Sequence, residues 1–132
     1  PPPPPAPPRR PPSTTHPASS AASDVYKSQA LSGSGPAWFY ELSNQLVNAG
    51  IDLGLSLQDS ELIIKELIKA LPALVNEDET FKDLVNKVKS PGGTTEAGLN
   101  SLNDASFDTI ILEAIQKATQ RSTEISKELD NE

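Results

Sequence analysis

With 132 residues, 36% apolar content and only six aromatics, the chain has material for one small domain with a modest core. A net charge of −7 argues against nucleic acid or an anionic membrane as a partner. The lack of cysteine excludes a disulfide framework or thiolate metal site, and no apolar run approaches the ~20 residues of a membrane span. A reducing, cytoplasmic setting is expected. The single histidine, His16, lies in a low-complexity segment, so no metal site is expected either.

The first twenty-nine residues read as a disordered arm. Ten of the thirteen prolines fall within the first seventeen positions, and PPPPPAPPRRPP is restricted to polyproline II or coil because consecutive prolines offer no amide donors. The Ser/Thr/Ala stretch that follows reads as a flexible linker. Through Gln29 the arm carries Arg9, Arg10 and Lys27 against Asp24, leaving −9 to the remainder. Pro5, Pro8 and Arg10 fit a PxxPxR pattern of the kind that docks on SH3 or WW domains, although such patterns arise readily in any proline-rich tract. No methionine occurs anywhere, so Pro1 is not expected to be a translation start.

Residues 30–132 read as an all-α bundle of about five helices. Pro36 suits a first turn, and Trp38, Leu42, Leu46, Ala49 and Leu53 then recur every three or four residues up to Gly50 and Gly54. Ser56 and Asp59 form a capping pair for a second helix striped by Ile63, Ile64, Leu67, Ile68, Leu71, Leu74 and Val75, which Pro72 interrupts. Phe81, Leu84, Val85 and Val88 give a short third helix. A fourth holds Ala97, Leu99 and Leu102. From Ser106 a final helix of about 35 Å carries Phe107, Ile110, Ile111, Ala114, Ile115, Ala118, Ile125 and Leu129 on one side. That stripe is longer than one small core can cover, so part of it is expected to meet another chain.

The segment with most chemical content is SPGGTTEAGL, Ser90 to Leu99. Gly92 and Gly93 allow a ligand to approach the backbone, and Thr94 or Thr95 can cap the next helix while its first amides point outward. Free donors at the positive end of a helix dipole favour an anion such as a carboxylate. No strand followed by GxGxxG occurs, and the GSGP element at Gly33 to Pro36 opens a helix instead.

SPGGTTEAGL resembles the hallmark of the pyrroline-5-carboxylate reductases. LSGSGPAWF (Leu31–Phe39), NAGIDLGLS (Asn48–Ser56) and EAIQKATQRSTEISKEL (Glu113–Leu129) are similar to successive parts of their C-terminal domain, in the same order. The resemblance implies an interlocked homodimer, which can assemble further, and reduction of 1-pyrroline-5-carboxylate to L-proline by NADPH or NADH. It further implies that the Gly93 and Thr94 amides hold the substrate carboxylate and that the Thr95 hydroxyl bonds the ring nitrogen as the catalytic contact. Val88, Ser90 and Gly92 complete the substrate loop, and Ser34, Gly35 and Pro36 lie toward the cofactor. The family places a Rossmann domain ahead of this region, so the chain alone is expected to bind no cofactor and to be inactive. The rival reading is a non-catalytic dimerising module that displays the proline-rich arm. Glu77, Asp78 and Glu79 are candidates for an acidic group near the imine, with a charged helix start as the alternative. Arg121 either orders the last helix or the dimer seam, or pairs with Glu124 or Glu128 in solvent.

Overall fold

The computed structural model describes residues 1–2 and 18–131, the first three of the latter by backbone alone. The PxxPxR pattern of Pro5, Pro8 and Arg10 lies outside the described residues. Among those residues there are six α-helices, α1 (Ala18–Ser32), α2 (Gly35–Asp52), α3 (Leu57–Ala70), α4 (Phe81–Val88), α5 (Thr94–Asp104) and α6 (Phe107–Asp130), with a 3-10 turn at Leu71–Leu74 and no strand. The all-α class is as expected. None of the described helices is long and apolar enough to cross a membrane.

One helix corrects the reading of the arm. Residues 18–29 were expected to continue the flexible linker, yet they form most of α1, which packs along α6. Tyr26 donates its hydroxyl to Ser126 Oγ at 2.9 Å, and Ser122 Oγ donates to Gln29 Oε1 at 3.2 Å. The Ala/Ser composition that looked like a linker includes the strongest helix former, and Tyr26 and Ala30 lie one turn apart on one face. On the opposing face, Thr119 and Thr123 return their hydroxyls to the carbonyls of Ile115 and Thr119. Their methyls can then sit half-buried without an unpaired donor.

The connections follow from local chemistry. The Gly33 amide donates to the Gln29 carbonyl at 2.9 Å, and Trp38 Nε1 reaches back to the Ala30 carbonyl at 3.0 Å, so the α1–α2 bend is pinned from both sides. Gly54, at φ +103°, supplies the left-handed residue after α2. Ser56 then caps α3 by accepting from the Asp59 amide at 3.0 Å. Pro72 converts the end of α3 into the 3-10 turn, as a ring without an amide hydrogen must. α2 and α3 approach closely because Gly50 faces Ser60: a Cβ on Gly50 would fall 2.6 Å from Ser60 Oγ.

The packing is α3 on α2, α2 on α1, α1 on α6 and α6 on α5, with α4 packed substantially on none of them. Such an open order buries little. Ala30 and Val47, 3% and 6% exposed, are the buried apolar side chains among the described residues. Leu42, Leu67, Ile110, Ile111 and Ile125 all remain exposed. Leu31, Leu99, Leu102, Phe107, Ile111 and Ile115 line an open apolar groove where α1, α5 and α6 meet. The helical stripes read from the sequence are present, but within one chain they face solvent.

Candidate functional site

The loop of interest starts where α4 stops. Lys89 caps α4 with extended backbone, its amide bonded to the Val85 carbonyl at 2.9 Å. Ser90-Pro91-Gly92-Gly93 is a tight turn closed by the Gly93 amide on the Ser90 carbonyl at 3.0 Å. Proline second and a glycine at φ +70° third are what a type II turn demands. Gly93 is needed for a different reason. Its φ is an ordinary −86°, but a Cβ there would meet Ser90 Oγ at 2.5 Å and the Ser90 carbonyl oxygen at 3.1 Å.

Two expectations are corrected at this point. Neither threonine caps α5: the N-cap is Gly93, which has no side chain, and Thr94 and Thr95 fill the first two helical positions. In addition, the Gly93 amide is engaged in closing the turn and is not free to hold a carboxylate. The consequence is a more open donor set. With no side-chain cap, the amides of Thr94, Thr95 and Glu96 have no acceptor among the described residues. They form the outward-facing positive end of an eleven-residue helix, an arrangement that favours an anion by about 0.3–1 kcal/mol at an exposed position. Thr95 is half-buried there, while Thr94, Ser90, Gly92 and Val88 are exposed.

Ser34, Gly35 and Pro36 do not join this loop within one chain. They open α2, where Ser34 is the N-cap and its carbonyl accepts from the Ala37 amide at 2.9 Å, and α2 packs on α1 and α3 while α5 packs on α6. No strand precedes them among the described residues. Glu77, Asp78 and Glu79 precede α4 in a turn organised by Asn76, whose Oδ1 accepts from the Asp78 and Glu79 amides at 3.0 and 2.9 Å. Arg121 pairs with Glu124 at 3.3 Å and Glu128 at 3.0 Å along its own helix.

Sequence reasoning missed the device that starts α4. Thr80 Oγ1 accepts from the Asp83 amide at 3.1 Å, and the Asp83 carboxylate accepts from the Thr80 amide at 3.0 Å, a reciprocal capping box. The signal was present as T-x-x-D ahead of an apolar run. These bonds hold the Asp83 carboxyl below its usual range, through the Thr80 amide first and its hydroxyl second.

Open helical faces that one chain leaves uncovered, joined to a glycine turn with open amide donors at a helix start, define an all-helical assembly domain. Residues 23–125 match the family described as pyrroline-5-carboxylate reductase dimerisation. The chain is 38% identical over 108 residues to a pyrroline-5-carboxylate reductase of Staphylococcus haemolyticus, covering 81% of this chain and 40% of that protein. Among solved structures, Plasmodium falciparum pyrroline carboxylate reductase with NADP bound is 34% identical with a TM-score of 0.70, covering 76% of this chain and 38% of that one. A Coxiella burnetii pyrroline-5-carboxylate reductase is 30% identical, also at 0.70, over 77% and 38%. The chain belongs to the pyrroline-5-carboxylate reductase dimerisation family, and it spans about two fifths of the length of the curated relatives it matches.

Proposed function

We propose that this chain is the dimerising and substrate-holding part of a pyrroline-5-carboxylate reductase, serving the reduction of 1-pyrroline-5-carboxylate to L-proline in proline biosynthesis in the cytoplasm. The observation that carries the reading is the Ser90–Thr95 turn with its free Thr94 and Thr95 amides. These donors receive the substrate carboxylate, and the half-buried Thr95 hydroxyl bonds the ring nitrogen. Val88, at the end of α4, lies against the ring. A nicotinamide, NADPH or NADH, supplies the hydride when it is bound. Its dinucleotide is held by a domain outside this one, with Ser34 to Pro36 contributed beside it from a second copy. This chain's own residues therefore bind and orient the imine rather than attack it.

The uncovered faces of α2, α3 and α6 support a homodimer, and further assembly of dimers uses what remains exposed. An NMR titration with L-proline tests the substrate reading. The Thr94 and Thr95 amide resonances are expected to move with saturation, and fixed positions up to high concentration would overturn it.

A further inference from the structure

We propose that Glu79 is a positioning residue, clasping the two ends of α4 together and thereby fixing where the Ser90–Thr95 loop begins. The inference rests on the substrate reading of that loop.

α4 has eight residues and no substantial packing partner in the chain, and Phe81 and Val88 at its two ends are 74% and 70% exposed. A helix this short does not persist in water on propensity alone. Local bonds must hold it: the Thr80–Asp83 box closes its start, and the bonds that span it converge on the Glu79 carboxylate. Glu79 Oε1 accepts from Asn76 Nδ2 at 2.9 Å, while Glu79 Oε2 pairs with Lys87 Nζ. Asn76 in turn receives the Asp78 and Glu79 amides on its Oδ1. The turn before α4 is thus tied to Lys87 in its last helical turn, three residues before Ser90. Most exposed ion pairs contribute little because both long side chains must be immobilised. Here the acceptor is already ordered: the Glu79 side chain is only 25% exposed. Lys87 and then Asn76 hold its carboxyl below the usual range, in keeping with a carboxylate receiving two donors. None of the other exposed ion pairs among the described residues bridges the two ends of a helix from outside it.

The test uses amide hydrogen exchange on this chain, read at Val85 to Val88 and at Gly93, whose bond to the Ser90 carbonyl reports the turn directly. Glu79→Gln and Lys87→Met are each expected to speed exchange at both places by about fivefold, with Val47 in α2 unchanged. Lys87→Arg, which keeps the charge and reach, should restore the original rates. L-Proline is the ligand probe, and its affinity should fall in parallel in Glu79→Gln. Unaltered Gly93 exchange in Glu79→Gln, or failure of Lys87→Arg to differ from Lys87→Met, would overturn the role. If the unaltered chain shows no L-proline response, the substrate reading fails while the exchange data still decide the clasp.

Discussion

α6 and α4 are opposite ways of making a helix persist. α6 runs for twenty-four residues and leans on α1 and α5, with Tyr26 and Gln29 bonded to Ser126 and Ser122, 100 and 93 positions away. α4 runs for eight, leans substantially on nothing, and is held by bonds among residues 76 to 89. The long helix, although better packed, still has Ile110, Ile111 and Ile125 in solvent. The short helix has met most of its polar needs within its own sequence. The scaffold is therefore completed from outside and the site loop from within.

Four changes would break or sharpen that contrast. The largest effect is expected from Ile111→Asp, which puts a charge into the apolar groove of α1, α5 and α6. Self-association measured by sedimentation should weaken ~100-fold, since an unpaired charge would be enclosed, and an unchanged distribution would mean this face is not covered. Next comes Thr95→Ala in a reductase completed by a nucleotide-binding domain. kcat/KM should drop about tenfold, or ~1.4 kcal/mol, with self-association untouched. Thr80→Ala removes one half of the capping box and should cost about 1 kcal/mol, visible as faster exchange in α4 and at Gly93 with α2 unchanged.

The smallest effect is set by pH. Asp83 and Glu79 have native pKa values below their ordinary 3.8 and 4.5. Their contribution is therefore complete above those values and is lost as pH falls through the lowered native ones. Amide shifts followed downward from pH ~6 should show α4 loosening below pH ~4.5, before α2 changes. Simultaneous loss would show that α4 is coupled to the scaffold.

Apolar spacing was enough to place α2 to α6, because a stripe every three or four residues is a property of sequence whether or not anything covers it. Pro72 and the Ser56–Asp59 cap were equally legible, each being one residue's covalent or hydrogen-bonding chemistry. α1 was not. Its long-range contacts to α6 decide its state, and its Ala/Ser composition is shared with linkers. At the site, SPGG specified its turn, but the division of labour between Gly93 and the threonines depended on where α5 begins. A shift of one position exchanges a cap for a free donor. Which residues of a second copy face the loop is not written locally at all.

With Ala30 and Val47 the only apolar side chains enclosed among the described residues, a solitary copy has little to resist heat or proteases. Whatever covers its helices binds the folded form in preference to the unfolded one, so its melting temperature climbs as the protein becomes more concentrated. Stability here is a matter of supply. A cell making the chain slowly would lose it to degradation before copies met, and one making it in quantity would keep it.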